Sequence, residues 1–166
     1  MNDTAIAVRF FQNKFQKAKV LLVDLDLHQG NGNSYIFQND HTVFTFSMHQ
    51  ENLYPKKETS ALDVGLEEGC DDSQYLKKLE SGLKKIRSNF KPDIIFYLAG
   101  ADPYENDMLG SLKVSMKGLI KRDFLVKKFA KKIGCPVVVL LAGGYAKDFQ
   151  DTIQIHFNTA KVFSGS

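Results

Sequence analysis

The chain is predicted to be an α/β domain: a parallel sheet covered by helices on both faces. Three observations carry that prediction. Short, almost uniformly apolar runs at residues 20–23, 94–99 and 137–141 are bounded by turn residues, as in strands buried on both faces. Amphipathic stretches of helical period stand between them. Two of the runs lead into carboxylates and the third into a glycine pair, and in an open parallel sheet the carboxyl ends of the strands are where ligands bind.

Each element can be justified in order. Asn2 or Asp3 caps a helix over residues 4–16, where Ala5, Ile6, Val8, Phe10, Phe11 and Phe15 fall largely at helical spacing. The strand from residue 20 continues through Asp24-Leu25-Asp26-Leu27-His28 and turns at Gly30 and Gly32, where a bulky residue would not fit. A short helix over 34–38 precedes a β-branched and aromatic strand over 42–48, with His49 at its end. Residues 50–71 carry Pro55, Gly65 and Gly69 and read as a long loop with one short strand at 62–66. Loops of that length in compact domains are often functional.

Asp71 or Asp72 then caps a helix through Tyr75, Leu76, Leu79, Leu83 and Ile86 to about residue 90, stopped by Pro92. The strand over 93–102 ends in Asp102. A helix over 112–133 is broken by Gly134-Cys135-Pro136, a fully buried strand over 137–141 leads into Ala142-Gly143-Gly144-Tyr145, and a last helix covers 148–162. With no fixed repeat, low-complexity segment or linker, one core is expected.

Composition excludes several classes. At 166 residues, 43% hydrophobic and 25% charged, the chain is neither disordered, fibrous nor membrane-embedded in character. Twenty-two basic residues against 19 acidic leave a net charge of +3, which gives no reason to expect direct nucleic-acid binding. Cys70 and Cys135 form neither a CxxC pair nor a disulfide framework, which favours a reducing, cytoplasmic setting. No basic-then-apolar leader and no apolar run near the roughly 20 residues of a bilayer span is present, so neither export nor membrane insertion is indicated.

Asp24, Asp26 and His28 alternate along an extended stretch, so their side chains point the same way, and carboxylate and imidazole both ligate a divalent ion such as zinc. Asp-x-His alone is a weak signal, more often a helix cap beside a satisfied histidine than a metal site. Asp102, at the equivalent end of another strand, tips the balance: two carboxylates and an imidazole make a three-ligand zinc site with an open position. Asp24, deeper in the strand, is placed to orient a histidine or hold a structural cation. Gly143-Gly144-Tyr145 is either a tight loop or a turn that brings the backbone close to the metal and aims a phenol at a developing oxyanion. Gly30-x-Gly32 lacks the third glycine of a dinucleotide cradle. The basic stretch from Lys121-Arg122 to Lys131-Lys132, interleaved with Phe124, Leu125, Phe129 and Ile133, reads as a solvated helix face.

Together these residues resemble the zinc-dependent histone deacetylase superfamily, which includes acetoin-utilisation and acetylpolyamine amidohydrolase relatives. The resemblance rests on Asn2-Asp3 and the helix after it, Val23-Asp24-Leu25-Asp26-Leu27-His28-Gln29-Gly30-Asn31-Gly32, Thr45-Phe46-Ser47-Met48-His49, Tyr54-Pro55, Asp71-Asp72 with Tyr75-Leu76, Ala99-Gly100-Ala101-Asp102-Pro103, Leu109-Gly110 and Gly143-Gly144-Tyr145. The His-Gln-Gly-Asn-Gly and Leu-Tyr-Pro forms are most similar to the bacterial and class IV-like branches.

The resemblance implies an arginase/deacetylase-like fold, with Asp26, His28 and Asp102 as zinc ligands and Tyr145 as hydrogen-bond donor to the oxyanion. It implies a potassium site drawing on Asp24, Ser47 and Met48 together with Asp26 and His28. Tyr54, Gly143 and Gly144 would line an acyl-lysine tunnel, and Asn31 would support a histidine from the second shell of the metal. The substrate would be an acetylated lysine peptide or small acetyl-amide. The family also carries a His-His pair, acting as general base and acid, shortly upstream of the Asn-Asp helix start, and His28, His41, His49 and His156 do not match that pair. On this reading residues 1–166 are the C-terminal portion of one deacetylase-like domain whose N-terminal part is missing, catalysis is impaired, and a homodimer or the missing half covers the exposed sheet edge. The alternative is a non-catalytic remnant that retains a metal or ligand site.

Overall fold

The computed structural model describes residues 1–165. The described residues form ten elements, helices and strands alternating except at β2–β3: α1 (Asp3–Lys14), β1 (Val20–Asp24), α2 (Asn31–Phe37), β2 (Val43–Gln50), β3 (Leu62–Leu66), α3 (Asp72–Asn89), β4 (Ile94–Gly100), α4 (Met116–Ile133), β5 (Val137–Ala142) and α5 (Phe149–Phe163). All five strands are parallel, in the order β3-β2-β1-β4-β5.

Alternation along the strands divides the core. Leu21 and Val23 join Phe46, Met48, Ile95, Tyr97 and Ala99 against α3, α4 and α5, whose Leu79, Leu83, Ile86, Val126, Phe129 and Ile155 close that layer. Val20 and Leu22 face the other way, with Val43, Ile94 and Phe96, against Ala5 and Val8 of α1 and Phe37 of α2. Truncating a fully buried leucine such as Leu21 or Leu79 to alanine would cost about 2–5 kcal/mol. The helix starts follow their caps: Asn2 accepts from the Ala5 amide, Ser115 from Gly118, and Asp71 forms a reciprocal capping box with Gln74.

The chain leaves β1 toward β2 and β3, then returns to place β4 on the other side of β1. The crevice between the carboxyl ends of β1 and β4 is therefore the topological switch point, the usual ligand position in such sheets.

Three local expectations change. The helix expected over 112–133 begins only at Met116, because Leu112 and Val114 are buried in extended backbone that bridges to Tyr104 and Asp71 through Val114 and Lys113. The last strand is not buried on both faces: it is the sheet's edge, with Val138 and Leu141 37% and 57% exposed. The opening strand stops at Asp24, so Asp26 and His28 stand on bends beyond it rather than on extended backbone.

Candidate metal centre

Past β1 the backbone is organised by its own carboxylates. Asp24 Oδ1 accepts from the Asp26 amide at 3.1 Å, and Asp26 Oδ1 accepts from the His28 amide at 2.9 Å. Each is an Asx-type turn that lets a short side chain replace the lost strand partner. Asp102 follows β4 by two residues and sends Oδ1 across to the Leu27 amide at 2.9 Å. These bonds stitch the segment after β1 to the segment after β4.

The outcome is a cluster. Ligand atoms of Asp26, His28 and Asp102 lie within 4.8 Å of one another. His28 Nδ1 is 3.4 Å from Asp26 Oδ1 and 3.7 Å from Asp102 Oδ2. Asp102 is buried, whereas Asp26 and His28 are partly open to solvent, so the cluster has a floor and a mouth. Tyr54 stands at the mouth, 81% exposed, with its ring edge-on to His28 at 6.4 Å between centroids.

Electrostatics mark the cluster as short of positive charge. Burial, and then the charge of Asp26, push Asp24 up to about 8; burial, and then the charge of Asp102, push Asp26 up to about 7. His28 is raised by the Asp102 carboxylate beside it. Two glycines keep the space beside the carboxylates free. A Cβ on Gly143, whose φ is +54°, would lie 2.3 Å from Asp102 Oδ2, and one on Gly100 would lie 2.6 Å from Asp102 Oδ1. Two carboxylates and an imidazole crowded at ligand separations, with glycine on two sides, fit a divalent cation of the zinc type.

The remaining predicted residues fall around this cluster. Asp24 is buried under Gly30 and pairs in register with Ser47, but the Ser47 hydroxyl is bonded to His49 Nδ1 at 2.9 Å, and Met48 packs in the core. Asn31 bonds the Lys56 carbonyl with its amide. Tyr145 follows Gly143 and Gly144, both in the left-handed region, and its side chain is 61% exposed.

Three features escaped the sequence reading. Asp107, buried, accepts from the Tyr145 amide at 2.6 Å and the Leu109 amide at 2.8 Å, and so fixes the turn that presents Tyr145. His156 of α5 is half-buried against the Gly143 backbone, with Nδ1 lacking a partner; burial lowers its pKa. Arg122, assigned above to a solvated basic face, is instead fully buried beside Asp123. The signal was available, since both fall between Leu119 and Val126 on the buried stripe of α4.

Comparison with known proteins gives the family. The histone deacetylase domain pattern matches residues 1–160. The chain belongs to the histone deacetylase family. It is 46% identical over 157 residues to an uncharacterized protein of Picosynechococcus, covering 94% of this chain and 52% of that one. It is 34% identical over 149 residues to histone deacetylase 2 of Arabidopsis thaliana, covering 87% and 38%. The fold matches a histone deacetylase homologue from Aquifex aeolicus with a TM-score of 0.84 at 21% identity, covering 98% of this chain and 46% of the other. It likewise matches an acetylpolyamine aminohydrolase from Burkholderia pseudomallei with a TM-score of 0.83 at 22% identity, covering 99% and 50%. The chain thus spans about half the length of these relatives, or less. The arginase/deacetylase-like parallel sheet expected from the sequence is the one observed.

Proposed function

We propose that this chain is the metal-holding part of a zinc-dependent amidohydrolase acting on an acetyl-amide, acetyl-lysine or a small analogue. The observation that carries the reading is the convergence of Asp26, His28 and Asp102 in the switch-point crevice of a histone deacetylase family chain. Those three residues would hold the ion, which when bound acts as a Lewis acid toward the amide carbonyl. Tyr145 supplies a phenol donor for the oxyanion, on a turn anchored by Asp107. Tyr54 would form part of the substrate's entrance, and the Gly143–Gly144 backbone would line the tunnel beside Asp102. Asp24, Ser47 and Met48, with Asp26 and His28, would hold a potassium ion, as the family resemblance implies.

Proton transfer is the step these residues do not supply. His28 is a ligand, His49 is buried and bonded to Ser47, His156 packs against Gly143, and His41 is exposed between α2 and β2. None of the last three belongs to the ligand cluster. On this reading, which rests on the His-His pair that the family resemblance implies, a base and acid supplied by a further segment or another chain would complete the site, and residues 1–166 by themselves would turn over slowly. Loss of such a pair removes about 10² to 10⁴ in rate. The edge of β5 is the seam at which those further strands, or a second copy, would add.

The buried, unpaired Cys70 and Cys135 suit the cytoplasm. No helix among the described residues is long and apolar enough to cross a membrane.

The test is zinc binding and deacetylation measured on one preparation. One equivalent of zinc, and release of acetate from an acetyl-lysine peptide that chelation or Asp102→Ala abolishes, is the expected result when the complementary half is supplied. Stoichiometric zinc without turnover even then would assign a metal-binding remnant. No zinc bound would refute the reading altogether.

A further inference from the structure

A charged pair lies in the core where α4 presents its apolar stripe. Arg122 is 0% exposed and Asp123 1%. Asp123 accepts from Arg122 Nε at 3.0 Å, from the Tyr97 hydroxyl at 2.5 Å and from the Thr159 hydroxyl at 2.7 Å. The other end of the guanidinium donates from Nη1 to the Gly100 carbonyl. Its carbon lies 5.8 Å from the centroid of the Tyr97 ring.

Stability alone does not explain such a pair. A buried arginine and carboxylate often stabilise a fold no more than apolar residues of the same volume would. What an apolar side chain cannot supply is a donor to the Gly100 carbonyl. Gly100 is the last residue of β4, two before Asp102. Its α-carbon is wedged between the two acidic ligands: a Cβ there would lie 2.6 Å from Asp102 Oδ1 and 2.7 Å from Asp26 Cα. That peptide is the piece of backbone against which both carboxylates rest, and Arg122 grips it from the core side. The pair also connects elements, because Tyr97 lies on β4 and Thr159 on α5, the helix that follows the Gly143–Tyr145 turn.

We infer that Arg122, braced by Asp123, is a positioning residue for the metal centre. Its guanidinium fixes the Gly100 carbonyl and thereby holds the Asp102 carboxylate in register with Asp26 and His28. It touches neither metal nor substrate and acts through one peptide group. The inference rests on the reading of Asp26, His28 and Asp102 as metal ligands.

The experiment compares the full chain with Arg122→Met/Asp123→Asn, Arg122→Lys and Thr159→Val. Removing both charges leaves no unpaired ion, and the asparagine keeps one oxygen to accept from Tyr97 while its amide nitrogen, in the place of Oδ2, donates to the Thr159 hydroxyl. Zinc affinity is measured by chelator competition, the ligand field by Co²⁺ d–d absorption, and folding by thermal unfolding. The double variant is expected to bind zinc about 10- to 100-fold more weakly, the range seen when groups behind metal ligands are removed, with a shifted cobalt spectrum. Arg122→Lys, whose ammonium keeps a donor near Gly100, should recover most of the wild-type spectrum, and Thr159→Val should fall between wild type and the double variant. A folded double variant with wild-type affinity and spectrum, whatever its melting temperature, would show a purely structural pair and overturn the inference. Should the double variant not fold, wild-type affinity and spectrum in Thr159→Val would overturn it, and weakened zinc binding with an altered spectrum there would uphold it. If the wild type itself binds neither metal, the metal-centre reading fails and this inference with it.

Discussion

Gly143→Ala offers a direct way to move one ligand without deleting it. The added Cβ would lie 2.3 Å from Asp102 Oδ2, whereas an ordinary carbon–oxygen contact needs about 3.4 Å, so carboxylate and loop must part by about 1 Å. A zinc–carboxylate bond is about 2.0–2.2 Å long, and a retreat of that size takes the oxygen out of coordination. Alanine at a φ of +54° adds about 1–2 kcal/mol of backbone strain. The expected result is zinc affinity reduced by about 10- to 100-fold, with a melting temperature lower by roughly 2–8 °C for a chain of this size. Chelator competition measures the first and thermal unfolding the second, both at fixed pH. A variant that loses the melting temperature but binds zinc within threefold of wild type would refute the argument, because it would mean that Asp102 Oδ2 is not held by the glycine cradle.

Further outcomes follow from the same structure. Zinc at about 100 times its dissociation constant should stabilise the fold by about 2.7 kcal/mol, a rise in melting temperature of roughly 5–10 °C that a chelator reverses. In the metal-free chain Asp24 and Asp26 keep protons in the folded state that the unfolded state has already lost. Stability in urea should therefore fall as pH rises from about 4.5 to about 7, by up to about 1.4 kcal/mol per pH unit for each proton, and level off above about 8, and Asp24→Asn should flatten that slope; an unchanged slope would rule out Asp24 as its source. Given the complementary half, Tyr145→Phe should lower kcat by about 10² to 10³ while leaving zinc affinity unchanged, and loss of zinc instead would give Tyr145 a different role. The bare edge of β5, with Leu141 exposed, should make the chain self-associate with concentration in sedimentation velocity, and Val138→Lys should suppress it; a monodisperse wild-type monomer at high concentration would count against an open edge.

The order of elements was legible chiefly because β1, β4 and β5 are uninterrupted apolar runs between turn residues, and that pattern depends on little beyond burial. The position of the site was legible for a related reason: Asp26 and Asp102 each follow such a run, and parallel strands bring their ends to one edge. Less visible was anything set by neighbours remote in sequence. Val138 and Leu141 look as buried as Ile94 and Ile95, since apolarity does not reveal which strand lies at the edge of the sheet. Leu112 and Val114 join the helical pattern of the residues after them, although a bridge to Tyr104 holds them extended. Arg122 reads with the surrounding lysines, because its acceptor Gly100 lies in another element, as do Tyr97 and Thr159, the partners of Asp123. Asp26 and His28 have the right spacing for a strand, but the side chain of the preceding aspartate takes the place of a strand neighbour.

Those carboxylate-capped turns have a consequence for how the site can be watched. The amides of Asp26, Leu27 and His28 are each bound by an oxygen of Asp24, Asp102 or Asp26, so the ligands and three consecutive peptide protons form one mechanical unit. Hydrogen exchange at these positions then acts as a built-in gauge, readable before any ion is added: slow exchange marks a cluster already assembled by its own backbone, and fast exchange marks one that the cation has to gather.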